Sequence, residues 1–236
     1  MGMIIILLIC SILYSLSIFI DVLAYHLKLN LRDDINMRYI FSVINIFQFS
    51  ARGFVLLYAP LMAYLSENIR DQNLVWWATL LCQIVVIIFL FPTFISKYTL
   101  SLSYKVFNII NTIVGKKHLI EFHKPNIQYY SLKDIFFSLK SNVIFFVFSF
   151  ISGIVFSFSI TFIYYFSFFY KNNVLMMSSI SQFLNMFGSM SILLKIDPII
   201  MKAIDRNEGL LEIYILTFSR ILGHIFLIII LLVVIK

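Results

Sequence analysis

Residues 3–25 read MIIILLICSILYSLSIFIDVLAY, an apolar run whose one charge is Asp21. At about 1.5 Å rise per residue a helix of this length crosses a hydrocarbon core of about 30 Å. Comparable runs recur at 38–65, 74–96, 143–170, 174–194 and 211–235. The sequence therefore predicts an all-α polytopic membrane protein, one domain over 1–236 with about six transmembrane helices. A β-barrel would require strands of about ten residues with alternating polarity, and these runs do not alternate. Composition agrees: 61% of the chain is apolar and 12% charged, with a mean hydropathy of +0.98, against about 45–50% and 25% in a soluble domain. A soluble globular fold is excluded. The first run resembles a signal peptide in position, but it has no basic n-region and continues past a small-residue cleavage window to Asp21, so we expect a retained first span.

Orientation follows from the connections. Thirteen lysines and arginines fall in the first, third and fifth, while the other side carries only Arg70, Lys171 and Lys236. The positive-inside rule then puts the odd connections in the cytoplasm and both termini outside, with Trp76 and Trp77 at the outer end of the third helix. The net charge of +7 belongs to these loops, and it implies anionic membrane lipids as partners rather than nucleic acid. Within the cytoplasmic segment 97–142, Leu102, Val106, Ile109, Ile110 and Ile113 recur at helical spacing among lysines, which predicts an amphipathic helix on the membrane surface; the alternative is an extension of the third helix. Residues 118–140 read as a basic loop broken by Pro125. Cys10 and Cys82 lie in apolar runs without metal-ligand spacing, so no disulfide, metal or cofactor is expected.

Charged groups in hydrocarbon are expensive and require partners. Arg52 lies about 21 Å along its helix from Arg38, too deep to reach the cytoplasmic interface easily. Ser42, Asn45, Gln48 and Arg52 recur three and four residues apart, on one face that must look into protein or water. Thr217, Arg220 and His224 repeat the pattern in the last helix. Ser178, Ser181, Asn185 and Gly188 form a stripe in the fifth, which ends at Lys195, Asp197 and Pro198. Tyr14, Ser17, Asp21 and Tyr25 form another in the first. With Asp21 and Asp197 near the cytoplasmic helix ends, the expected arrangement is a cavity with carboxylates at its mouth and cations within. Two readings stand: the carboxylates neutralise Arg52 and Arg220 in structural ion pairs, or the stripes line a ligand site. Ser149, Gly153, Ser157 and Thr161, four apart, read as a packing stripe.

No nucleophile elbow, HExxH or phosphate-cradling glycine loop occurs, so an enzyme is the weaker class. Two deep arginines suit an anion that must enter hydrocarbon, because guanidinium stays charged and matches phosphate oxygens in a bidentate fork.

Several of these residues lie in segments that resemble the Amj family of lipid II flippases. The segments are IDVLAY at 20–25, NIFQFSARGFVLLYAP at 45–60, IDP at 196–198, Asp205, and SRILG at 219–223. They cover the first two and last two helices, and Ala51 stands where the family pattern has serine. The resemblance implies a six-helix flippase of the bacterial inner membrane, with lipid II or a related undecaprenyl-pyrophosphate-linked saccharide as cargo. It implies functional positions at Asp21, Asn45, Arg52, Asp197, Asp205 and Arg220. In this reading Arg52 and Arg220 bind the pyrophosphate, Asn45, Gln48 and the serines of the fifth helix solvate the head group with Asn185 also at the substrate, and Asp21, Asp197, Asp205 and His224 gate transport or couple it to protons. Alternatives are another undecaprenyl-linked cargo, such as an O-antigen or capsule unit, or a non-transporting scaffold subunit of an envelope complex. A chain of six helices also admits a homodimer.

Overall fold

The computed structural model describes residues 2–29, 37–68, 71–113, 130, 132–170, 173–206 and 209–233. These are helical almost throughout, with no strand among them. Six helices are long and apolar enough to cross a membrane: Met3–Lys28, Phe41–Leu65, Gln72–Phe94, Val143–Phe169, Met176–Ile204 and Leu210–Val233. The chain is an all-α polytopic membrane protein. Its helices are α1 (Gly2–Lys28), α2 (Met37–Asn68), α3 (Gln72–Leu90), α4 (Ser96–Ile113), α5 (Leu132–Ser141), α6 (Val143–Ser157), α7 (Ile163–Phe169), α8 (Val174–Ser191), α9 (Asp197–Ile204) and α10 (Leu210–Val233).

The first helix is the hub, packed on α2, α3, α4 and α10. Small residues let the later helices approach, as packing in lipid requires. A Cβ at Gly153 of α6 would lie 3.5 Å from Cγ of Arg220, and one at Gly223 of α10 would lie 3.4 Å from Cγ1 of Ile154. The small-residue stripe of the fourth span therefore faces the sixth. Gly209, at φ +76°, makes the turn into α10. A Cβ there would come 2.6 Å from Cγ1 of Ile204, so this position requires glycine in both conformation and space.

Two spans are interrupted by single π turns. In the fourth, Phe158–Phe162 joins α6 to α7, and in the fifth, Ile192–Ile196 joins α8 to α9. The second has a covalent cause: Pro198 has no N–H to donate and its ring crowds the carbonyl four residues back. The chain widens just before it, and the Asp197 N–H reaches back five residues to the Ile192 carbonyl. The first turn is held by hydroxyls. Ser181 donates to the Ser159 carbonyl at 2.5 Å, and Thr161 donates to the Ser157 carbonyl at 2.7 Å.

Some boundaries differ from the sequence reading. The fifth helix does not stop near 194; the π turn carries it on to Ile204. The first helix runs three residues past Tyr25, to Lys28. The third closes in a 3-10 turn at Phe91–Phe94, with Pro92 in its first turn. A separate helix, α4, then begins at Ser96, with Phe107 buried against Ala24, Leu27, Val43 and Ile44. The other side of α4 exposes Tyr98, Leu102, Ile109 and Ile113. The segment 118–140 is not all loop, because α5 occupies Leu132–Ser141 and buries Ile135 against Leu210 and Tyr214. Pro125, Lys116, Lys117, His118 and His123 lie outside the described residues.

Candidate ligand cavity and its charge network

A cavity of about 510 Å³ lies between the second and fifth spans, floored by the first. Its volume is in the range of small-molecule sites. Along α2 it is lined by Gln48, Arg52 and Leu56, and along α8 by Gln182, Asn185 and Ser189; Ser17 and Asp21 of α1 lie at its base. The two walls barely touch one another: α2 packs on α1, α4 and α7, whereas α8 packs on α6, α7 and the π turns. Their flanks, including Leu56, Leu57, Met186 and Met190, are exposed and apolar. The lining is mixed, with the polar side chains set among Ile18, Ala51, Val55, Phe156 and Ile192, and the flanks are apolar.

Arg52 stands about midway along α2, in a span that runs from Phe41 to Leu65. It is exposed on the cavity wall and makes no hydrogen bond or ion pair with a described residue. Its guanidinium carbon sits 4.9 Å from the ring centroid of Phe49, one turn back, a cation–π contact that holds the side chain without neutralising it. Across the cavity, the buried Oδ1 of Asn185 also has no partner.

Arg220 behaves differently. It is 5% exposed, and its Nη2 donates to Oδ2 of Asp21 at 2.6 Å. The other oxygen of Asp21 accepts from Nε2 of Gln48 at 3.1 Å. One carboxylate therefore joins the first, second and sixth spans. Nη1 of Arg220 is buried without a partner among the described residues, and Arg220 borders a second, small space of about 10 Å³ lined also by Asp21, Ser157 and His224 among others. That is about the room one water needs, with polar groups on several sides to hold it.

His224 takes part in a network that fixes its tautomer. The Thr161 hydroxyl donates to the Ser157 carbonyl, so it can only accept from Nε2 of Gln83, at 2.8 Å. Oε1 of Gln83 must then accept from Nδ1–H of His224, at 2.5 Å. The Nε2 lone pair is left facing the Ser157 hydroxyl at 3.4 Å, on the wall of the water-sized space. An imidazole that donates from Nδ1 and turns Nε2 toward the Ser157 hydroxyl therefore stands beside the Asp21–Arg220 pair.

The sequence-selected residues thus divide. Asp21, Gln48, Arg52 and Asn185 meet at the large cavity, while Arg220 and His224 lie directly behind it. Asp197 is not at the mouth beside an arginine. It lies inside the extended fifth span and accepts from Nζ of Lys28 at 3.1 Å, with Lys28 only 2% exposed and 4.6 Å from the Tyr25 ring centroid. Neither aspartate pairs with Arg52. Asn45 is exposed on the same face of α2 but off the cavity wall, and Asp205 is exposed in the turn after α9. Four contributors are not singled out by the sequence patterns. Lys28 falls at a connection, Ser157 and Thr161 in a packing stripe, and Gln83 in no stripe, although a lone glutamine in LLCQIVVIIF is itself a polar residue in hydrocarbon that needs a partner.

No protein-family model, curated protein or solved structure matches this chain.

Proposed function

We propose that the chain is a flippase of the bacterial inner membrane for a polyprenyl-pyrophosphate-linked saccharide, with lipid II as its first candidate cargo. The observation that carries this reading is Arg52: a guanidinium at mid-span, on the wall of a cavity of about 510 Å³, that no carboxylate among the described residues neutralises. A permanent cation kept there without a carboxylate partner is costly unless an anion or water meets it. The mixed polar and apolar lining suits an amphiphile. The phosphates meet Arg52 and Gln48, the first sugar meets Gln182, Asn185 and Ser189, and the prenyl chain remains in lipid through the opening between α2 and α8. Only the head crosses a hydrated path, and rocking of the fifth span against the second then exposes it to alternate sides. With the odd connections in the cytoplasm, cargo loads from the side that carries most lysines and arginines.

The test is reconstitution of the purified protein in liposomes with fluorescent lipid II and, separately, the bare undecaprenyl phosphate carrier. Translocation of lipid II well above protein-free liposomes is expected. Absence of any translocation by folded protein would favour the scaffold reading, and movement of a different undecaprenyl-linked saccharide in preference to lipid II would reassign the cargo.

A further inference from the structure

The charges at the site do not match the proposed head group unless a proton is added. Arg52 and Arg220 bring two positive charges and Asp21 one negative, so the resting network carries a net charge of +1. The remaining charged pair nearby, Lys28 with Asp197, is neutral as a unit. Tyr25 lies within electrostatic reach of Asp21, Asp197 and Arg220, with Lys28 over its ring; Arg220 and His224 on α10 and Arg52 on α2 share the spaces that Asp21 lines, and Tyr14 on α1 faces the His224 ring. α6 presents only Gly153, Phe156 and Ser157, and α8 only neutral polar and apolar side chains. A diphosphate diester carries two ionised oxygens. Bound against a net +1, it would leave an uncompensated negative charge in low dielectric, beside a carboxylate that already carries one.

We propose that this site takes up one proton for each diphosphate head group it binds, on the Asp21 carboxylate, with His224 as the proton's second seat across the water-sized space. Protonated Asp21 no longer neutralises Arg220, so the second guanidinium is released to the anion: two arginines face two phosphates only when the proton is aboard. Asp21, Arg220 and His224 all line the small space, Nη1 of Arg220 has no partner among the described residues, and Nε2 of His224 has only the long 3.4 Å contact with the Ser157 hydroxyl, so one water there connects the carboxyl to the imidazole. Transfer from Asp21 to His224 restores the carboxylate and its pair with Arg220, and leaves the proton on Nε2 with the Nδ1–H bond to Gln83 intact. Binding and proton uptake are then reciprocal: affinity for the diphosphate falls as pH rises, by up to about tenfold per pH unit for one proton.

This inference rests on the anion-site reading of the cavity, and one experiment separates the two. Isothermal titration calorimetry of the purified full chain, in two buffers of different protonation enthalpy, reads binding and proton count together. The probes are a short-chain polyprenyl-diphospho-N-acetylglucosamine and the matching monophospho-sugar. Expected are about one proton taken up per diphosphate ligand and close to none per monophosphate ligand. Asp21→Asn, whose network already carries a net charge of +2, should bind the diphosphate without uptake and without the pH slope. Should that variant fail to fold, the two ligands on the unaltered protein decide the matter alone. Diphosphate binding without uptake, equal uptake with both ligands, or undiminished uptake by folded Asp21→Asn overturns the proton inference while the anion site stands. Binding of neither ligand overturns both.

Discussion

Asp21 and Arg220 are 199 residues apart in the chain and 2.6 Å apart in space, so one ion pair clasps the first membrane helix to the last. The partners are unequally placed: Asp21 is 23% exposed at the cavity base and Arg220 5% exposed behind it. Their roles as partners are therefore unequal too. An orphaned Asp21 could be solvated from the cavity, whereas an orphaned Arg220 could not.

That asymmetry sets the effect of breaking the pair. Removing one partner of a buried pair costs about 3–5 kcal/mol, most of it the uncompensated charge left behind. Asp21→Asn should approach that figure, and Arg220→Gln should lose less. The double variant should recover much of the loss, because no charge is left unpaired. Thermal unfolding in detergent across the four proteins checks this. Equal losses from both single changes, added in full in the double, would mean the two side chains do not depend on each other.

The Lys28–Asp197 pair should prove structural. Neither residue lines the large cavity, and Lys28 is held against the Tyr25 and Phe41 rings. Asp197→Leu alone should destabilise by about 3–5 kcal/mol by stranding Lys28, which is only 2% exposed, while Lys28→Met with Asp197→Leu should return close to the original stability or exceed it. The paired variant should still move lipid-linked cargo in liposomes. A stable double variant with no transport would instead give Asp197 a part in the cycle.

How much of this could be read from sequence follows from the range of each signal. Span existence is local: about twenty apolar residues announce a helix wherever they fold, and all six spans were visible. The end of the fifth span was not, because Lys195, Asp197 and Pro198 look like a boundary. In the folded chain a π turn absorbs the proline and a lysine from the first helix neutralises the aspartate. The site residues were visible for the same local reason, since Arg52, Arg220 and His224 are polar groups in apolar runs. Their pairing was not, because hydropathy carries no information on which of two arginines meets which of two aspartates across such separations. Asn45 and Asp205 show that polarity in a span does not by itself place a residue at the site: one shares a helical face with Arg52 yet stands off the cavity wall, and the other lies in an exposed turn.

Topology is open to a direct check. Lys140 and Glu67 are both exposed, and the positive-inside rule assigns them to opposite sides. Single cysteines at these positions, in a background without Cys10 and Cys82, should be labelled by an impermeant maleimide from the cytoplasmic and outer faces respectively. Labelling of both from one face would undo the orientation.

Arg52 separates ligand binding from architecture. It is exposed on the cavity wall and has no carboxylate partner among the described residues, so replacing it should change stability by no more than about 0.5 kcal/mol, as for other side chains without buried contacts. Arg52→Lys keeps the charge but loses the planar fork, and Arg52→Gln keeps a hydrogen-bonding group but loses the charge. Both should weaken binding of the diphosphate-linked sugar, Gln more than Lys. A charge-assisted bond contributes about 1.5–3 kcal/mol, so the Gln variant should bind roughly tenfold to a hundredfold more weakly. Calorimetric affinity, thermal stability and liposome transport measured on the same preparations provide the check. Full transport by a folded Arg52→Gln protein would remove the anion site, because no other cation on the cavity wall is free of a carboxylate among the described residues.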